Sequence, residues 1–423
     1  MIRKSGDLSS LEPLRRVLAV NHQINSTLNL DELLGIVMST AEEVMGTEAA
    51  SLMLIDEKRN ELVFQVALGE KGRDLVEKFR VRMGEGIAGT VAQTGEPLIV
   101  NQARSDPRFA SRFDEATRFS SRAILCVPLR SKGKVIGVLE ALNPTGREGF
   151  SEEDLDLFEC FADQAAIAIE NARLHSEIVR QEKTKQELEI AREIQQGLLP
   201  DLSQRALGMD LAAVTVPARE VGGDFYDVIE LGGSKTGVIL GDVSGKGVPA
   251  ALHMVRAISD YRFLAPRSPG PAGLLELLNE GLSKDAPLGM FVTVLSVVVD
   301  TQTKTAHYAS AGHLPILSRR ARSGGVEIFD DAKGIPVGLM PGTRYPQGET
   351  TLAAGDLLLF YTDGVLEARN RKGEEYSLGR LKRCLAEPVQ SMSELVRRIL
   401  GDVGEFSKGV DPHDDLTLLA LAL

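Results

Sequence analysis

The chain has 423 residues and 43% hydrophobic content, which favours two or three domains over one. A formal net charge of −12 argues against nucleic acid as the main partner, because phosphate-backbone binding needs a basic surface. Cys126, Cys160 and Cys384 have no metal-like or disulfide-like spacing, no apolar run approaches the ~18 residues of a membrane span, and MIRKSGDLSSLEPLRR lacks the apolar segment of a signal peptide, so no membrane partner and a cytoplasmic location are expected.

Residues 11–170 read as a separate α+β domain. LDELLGIVMSTAEEVMG has a helical pattern. AASLMLID and ELVFQVALG, joined by a charged turn at EKRN, form a half-buried hairpin in which Leu62, Phe64, Val66 and Leu68 share one face. ILCVPLR and VIGVLEALN make a second hairpin around SKGK. Between the hairpins lie GEGIAGTVAQTGEPLIVN and a polar, loop-like stretch through SDPRFASRFDEAT. Gly84, Gly86 and Gly89 form a G-x-G-x-x-G outside any strand-helix-strand unit, so they are read as turn and packing residues, not a dinucleotide fingerprint.

This arrangement resembles a GAF domain, a small sensory fold whose ligand would sit between the sheet and a covering loop or helix. Of the pattern in cyclic-nucleotide GAF domains, Asn143, Phe150 and Asp154 fit, whereas Pro144 and Leu155 depart, so the sensory ligand stays unknown. Ser151 and Asp154 make an S-x-x-D capping arrangement for the next helix.

From Ser151 to about Leu199 the chain has no Pro and only Gly197, which predicts a long helix. Leu174, Ile178, Leu188 and Leu199 fall on a heptad seam, interrupted by Gln181, Lys185, Arg192 and Gln195 at the intervening core positions. A parallel homodimer with a marginal coiled coil over 171–200 is the preferred reading; one solvated helix joining two domains is the alternative.

Residues 201–423 hold four carboxylate signatures: GGD at Asp224, GDVSGKG at Asp242, YTDG at Asp363 and HDDLT at Asp414. TGVILGDVS and DLLLFYTDG deliver Asp242 and Asp363 at strand ends, and Asp414 precedes the strand-like LTLLALAL. Acids at strand mouths can converge, and such a cluster stays ionised only beside a cation. Oxygen-only ligands favour Mg²⁺ or Mn²⁺ over zinc, and two ions about 3.5–4 Å apart would hold a hydroxide for in-line attack on phosphorus. Rival motifs fail. GDVSGKG has the wrong spacing for a Walker A loop and lacks its hydroxyl residue. GGDFY departs from the GG[DE]EF signature of diguanylate cyclases, and no cysteine opens a C-x₅-R phosphate loop.

GGDFYD (Gly222 to Asp227), GDVSGKG (Gly241 to Gly247), SAGHLP (Ser310 to Pro315), YTDG (Tyr361 to Gly364) and DDLT (Asp414 to Thr417) together resemble the SpoIIE-type serine/threonine phosphatases, bacterial relatives of the 2C-type metal-dependent enzymes. The resemblance implies an α/β/β/α sandwich with metals in a cleft at one end. It makes Asp242 the acid that bridges both metals, with the Val243 carbonyl as a further ligand. Asp224 would serve the first metal, Asp363 and Asp414 the second. Asp415 replaces the family's Asn and would act behind the ligands, and Arg219 would hold the substrate phosphate. Ser244 stands where the 2C-type enzymes have a proposed general-acid His, and His313 is read as ordering its loop. The implied substrate is phosphoserine or phosphothreonine on an anti-sigma-factor antagonist. ELEIAREIQQGLLP resembles the run that precedes such domains. A relay is expected in which the first domain acts through the dimeric helix on the metal site, with the helix VPAALHMVRAI, opened by Pro249, as the moving element.

Overall fold

The computed structural model describes residues 27–67, 79–202, 208–284 and 289–423. Leu68 and residues 11–26, included above in the first domain, lie outside the described residues. The chain divides into two compact units, Met1–Lys183 and Thr184–Leu423.

In the first unit, α1 (Leu30–Met45) starts where Asn29 Oδ1 accepts the Glu32 N–H at 3.1 Å and stops at Gly46, which takes the left-handed conformation. The expected hairpin follows as β1 (Thr47–Asp56) and β2 (Glu61–Ala67). Next come β3 (Arg80–Arg82), α2 (Gly86–Thr94), β4 (Leu98–Val100), α3 (Ser111–Thr117) and the second hairpin, β5 (Ile124–Ser131) with β6 (Lys134–Pro144). Helix α3 occupies a stretch expected to be loop-like; Asp114 anchors it by accepting from the backbone and hydroxyl of Ser121. The six strands lie in the order β3-β2-β1-β6-β5-β4, each pair antiparallel.

One face of this sheet buries Leu52, Leu125 and Leu139 against α1 and the first turns of α4 (Glu152–Leu198), through Phe158, Phe161 and Ile169. The other face packs on α2. Gly84 and Gly86 have φ of 81° and 68°, and a Cβ at Gly89 would lie 2.4 Å from Arg82 O, so these glycines serve turns and packing. Asn143, also at positive φ, staples the segment before β5: its Oδ1 accepts the Arg122 and Ala123 N–H groups and its Nδ2 donates to Glu48 and Ser120. Helix α4 opens on the expected capping box, with Ser151 N–H donating to Asp154 Oδ2 at 2.8 Å and Asp154 N–H to Ser151 Oγ at 3.3 Å, and it runs unbroken for 47 residues.

The second unit continues with β7 (Asp210–Val216), β8 (Phe225–Gly232), β9 (Lys235–Val243), α5 (Val248–Leu264), α6 (Pro271–Lys284), β10 (Val292–Asp300) and β11 (Thr305–Ala311). Then follow β12 (Ile316–Arg319), β13 (Val326–Phe329), β14 (Lys333–Gly334), β15 (Gly348–Thr351), β16 (Leu357–Tyr361), α7 (Asp363–Glu367), α8 (Ser377–Ala386), α9 (Met392–Phe406) and β17 (Leu416–Ala422). One sheet runs β14-β11-β10-β9-β8 with β15 beside β11, the other β13-β12-β16-β17-β7. Their inner faces form one core, with Val228, Val238, Leu240 and Val297 meeting Ile316, Leu358, Phe360 and Leu419. Helices α5 and α6 cover the first sheet's outer face, and α8 and α9 the second's. The result is the α/β/β/α sandwich that the motifs implied.

Candidate metal centre

Strand periodicity aims the acids. In β9, Val238 and Leu240 face the core between the sheets while Ile239 and Val243 face the helices, so Asp242 points to the inter-sheet side at the strand's end. In β8 the same alternation puts Tyr226 and Val228 inward, and Asp224 continues that row beyond the strand. In the second sheet Leu358 and Phe360 are inward, so the row reaches Thr362; Leu421 and Leu419 lead to Thr417 and Asp415. Two sheets thus deliver polar residues to one mouth. Asp363 opens α7 immediately after Thr362, and Asp414 lies in the turn before β17.

The charges interact strongly there. Burial first, then the charge of Asp242, pushes the Asp224 carboxyl well above its usual range; Asp224 is only 2% exposed and accepts a hydrogen bond from Thr362 Oγ1 at 2.7 Å. Burial, followed by the charges of Asp363, Asp414 and Asp415, raises Asp242 to about 7. Burial, then Glu367 and Asp414, raises Asp363. Among the described residues no three acid, Cys or His side chains are already drawn in as a closed ligand set. They ring the mouth instead, and one cation stands among them: Lys246 Nζ is 2.8 Å from Asp414 Oδ2 and donates to His413 O at 2.6 Å. Crowded carboxylates without imidazole or thiolate suit a hard divalent cation, so the donor set fits Mg²⁺ or Mn²⁺.

Backbone around the acids is held by side chains whose role only the fold discloses. Asp415 is 8% exposed and accepts the Ala218 N–H at 2.8 Å and the Gly223 N–H at 2.7 Å. Its neighbour Asp414 remains turned to the mouth beside Lys246. Thr362 ties β16 to β17, accepting the Thr417 N–H on the hydroxyl that donates to Asp224. The Val243 carbonyl is near enough to Gly223 that a Cβ there would lie 3.0 Å from it. Gly364 is equally constrained, since its Cβ would fall 2.0 Å from Asp415 O. Sequence reading gives Thr362 no role of its own, although a Thr directly before the YTDG acid was a usable signal.

Arg219 is exposed on the segment leading to Gly222. Ser244 exchanges bonds with Phe291: its Oγ accepts the Phe291 N–H and its own N–H donates to Phe291 O, both at 2.9 Å. His313 is 3% exposed, with Nδ1 2.8 Å from Thr293 Oγ1 and its N–H donating to Ser310 Oγ. Burial pulls its imidazole down to about 4, so the ring is neutral at pH 7. Both residues fasten chain segments next to Asp242, for Thr293 pairs with Asp242 across the sheet.

Comparison with known proteins agrees with the fold. Residues 232–423 match the family described as Stage II sporulation protein E (SpoIIE), and residues 27–170 match the GAF domain. The chain is 29% identical over 242 residues to the phosphoserine phosphatase RsbU of Bacillus subtilis, covering 57% of this chain and 71% of that protein. It is 30% identical over 266 residues to protein IcfG of Synechocystis, covering 56% of this chain and 41% of that longer protein. The solved SiaA-PP2C domain of Pseudomonas aeruginosa shares the fold, with a TM-score of 0.52 and 24% identity over 58% of this chain and 98% of that one. The sheet that carries α1 and α2, and the sandwich that gathers Asp224, Asp242, Asp363 and Asp414, are therefore a GAF domain followed along the chain by a SpoIIE-type protein serine/threonine phosphatase domain.

Proposed function

We propose that the protein hydrolyses phosphoserine or phosphothreonine on a partner protein of the anti-sigma-factor antagonist type, in the cytoplasm, under control of a ligand or partner at its GAF domain. The working bounds are 11–170 for the sensory domain, 171–200 for the linker and 201–423 for the phosphatase. The observation that carries the reading is the convergence of Asp224, Asp242, Asp363 and Asp414 at one cleft, with burial and mutual charge holding Asp242 at about 7. RsbU, a phosphoserine phosphatase by name, supports the substrate class.

Asp224, Asp242 and the Val243 carbonyl would hold one Mn²⁺ or Mg²⁺ ion, and Asp242, Asp363 and Asp414 a second. When bound, such ions polarise phosphoryl oxygen and acidify water at neutral pH. The chain's own groups do the rest. Arg219, exposed beside the Gly222 turn, would grip the phosphate with its planar fork. Asp415 and Thr362 keep Asp224 facing Asp242. His313, being neutral and bonded to Thr293, steadies β10, the strand whose Thr293 pairs with Asp242, and is not poised as a proton donor. A homodimer through α4 is supported by the exposure of Leu174 and Ile178, apolar side chains of the seam that a partner helix would cover.

The test is phosphate release from a phosphoserine protein by the full chain with Mn²⁺, with chelator, and after Asp242→Asn. Turnover that needs the cation and disappears in the variant supports the reading. Turnover that persists in chelator would sink it.

A further inference from the structure

The last turns of α4 are fastened to the strand ends that carry the acids. Gln195 is 7% exposed, although its neighbours Ile194 and Gln196 lie in solvent. Its carboxamide closes a two-way bond with a single residue: Nε2 donates to Gly222 O at 2.7 Å, and Oε1 accepts the Gly222 N–H at 3.1 Å. A planar amide that satisfies both backbone groups of one residue fixes its orientation as well as its position. From the other side, Asp415 accepts the Gly223 N–H, and a Cβ at Gly222 would sit 2.4 Å from Asp415 Oδ2. The turn before Asp224 is therefore gripped between Gln195 and Asp415.

A second tie lies at the helix end. Arg262 of α5 donates to Leu198 O at 2.6 Å and to Asp227, whose side chain is fully buried in β8. The end of α4 thus touches the chain on both sides of Asp224, at Gly222 directly and at Asp227 through Arg262. On the heptad seam Gln195 was assigned to a polar core position facing a partner helix; the fold spends it on Gly222 instead. A helix shifted by one residue turns a side chain by about 100°, so this bond survives in one register only.

We propose that Gln195 is a positioning residue for the cation site: it holds the Gly222–Asp224 turn so that Asp224 faces Asp242, and the register of the end of α4 thereby sets divalent-cation affinity. This rests on Asp224 being a metal ligand. Moving Gln195 leaves two buried backbone groups of Gly222 without partners, and the turn relaxes away from Asp242.

The experiment uses the full chain and reads free Mn²⁺ by electron paramagnetic resonance during titration, without substrate, alongside thermal melting in chelator. The variants are Gln195→Leu, Gln195→Glu, Asp224→Asn and, as a control at an exposed neighbour, Ile194→Ala. Mn²⁺ affinity is expected to fall about 10- to 100-fold in Gln195→Leu and less in Gln195→Glu, which keeps an acceptor for the Gly222 N–H. Saturating Mn²⁺ should restore kcat while KM for the phosphoprotein stays put, a pattern that general unfolding does not give. Wild-type Mn²⁺ binding in Gln195→Leu, with binding weakened in Asp224→Asn, overturns the role of Gln195 and spares the metal reading. Wild-type binding in Asp224→Asn overturns both. If Gln195→Leu does not fold, Gln195→Glu, which fills the same volume, decides: unchanged affinity there overturns the proposal and weakened affinity upholds it.

Discussion

Replacing Asp242 by Asn removes a charge from the most crowded part of the cleft. In the cation-free protein, burial and the charges of Asp363, Asp414 and Asp415 raise this carboxyl from 3.8 to about 7. Each tenfold change in proton affinity is worth about 1.4 kcal/mol, so ionising Asp242 in the folded state costs at most about 4 kcal/mol relative to the unfolded chain. Because the folded value is the higher one, the associated stability is full below the unfolded value of 3.8 and is lost as pH rises through about 7. Asn does not titrate and escapes that loss. Allowing for water entering the cleft, about 2 kcal/mol should remain at pH 8, which for a unit of this size raises the melting temperature by about 4–8 °C. Calorimetry of both proteins in chelator between pH 4 and 8 checks this: Asp242→Asn should melt above the wild type at pH 8, with the gap shrinking as pH falls. Added Mn²⁺ should reverse the order, since only the wild type retains its full affinity for the cation, and phosphate release by the variant should fall by orders of magnitude. A variant that melts at or below the wild type at pH 8 in chelator would refute the account of crowded, unscreened carboxylates.

Asp415→Ala also removes an acid from this region, yet its effect on stability should have the opposite sign. The Ala218 and Gly223 N–H groups lose their acceptor, which costs about 2–4 kcal/mol and should appear as a lower melting temperature in chelator together with weaker Mn²⁺ binding in titration. Away from the cleft, Asp402 accepts from Arg380 at 2.7 and 2.8 Å and from Tyr376, which holds its carboxyl well below the usual range and locks α8 to α9. Here the folded value is the lower one, so the stability is present above the unfolded value of 3.8 and is lost as pH falls below it. Asp402→Asn should cost about 2–3 kcal/mol at pH 7, and melting curves of variant and wild type should draw together in acid.

The acids were legible in the sequence because an apolar run stops or starts at each, and strand alternation then decides which side of a strand faces the mouth. The hairpins β1–β2 and β5–β6 were legible for the same reason, as was the capping box at Ser151. Helix α3 was not: its seven residues carry too little periodicity to outweigh the polar composition, and Asp114 is anchored to Ser121 beyond the helix. Gln195 was misassigned because a polar side chain on a heptad seam looks the same whether it weakens a coiled coil or meets a backbone amide elsewhere. Its partner at Gly222 is 27 positions away, across β7, and no local pattern in the chain links the two. Lys246 was weighed only as part of a failed nucleotide loop, although a cation four residues after Asp242 was itself a sign that charge there needs an answer, which the fold gives at Asp414.

One amide at the end of a 47-residue helix can matter because of the charge that Asp224 carries inward. That carboxyl is 2% exposed and is pushed up by burial and by Asp242, so it ionises readily only with a cation at hand. With Asp224 as a cation ligand, the orientation of the Gly222 turn and cation occupancy would be coupled equilibria. Linkage then requires reciprocity: whatever factor the register of α4 imposes on cation affinity, the cation imposes on the register. A tenfold factor is about 1.4 kcal/mol, roughly the net worth of one buried hydrogen bond, so a ligand at the GAF domain would need to supply only that much preference for one register. The reciprocal effect is measurable without any substrate or GAF ligand. Saturating Mn²⁺ should slow amide hydrogen exchange in the last two turns of α4 and at Gly222 and Gly223 by a factor matching the affinity lost in Gln195→Leu. Exchange at the end of α4 that ignores Mn²⁺, while the Asp242 region responds, would show that the helix end and the cation site are thermodynamically separate.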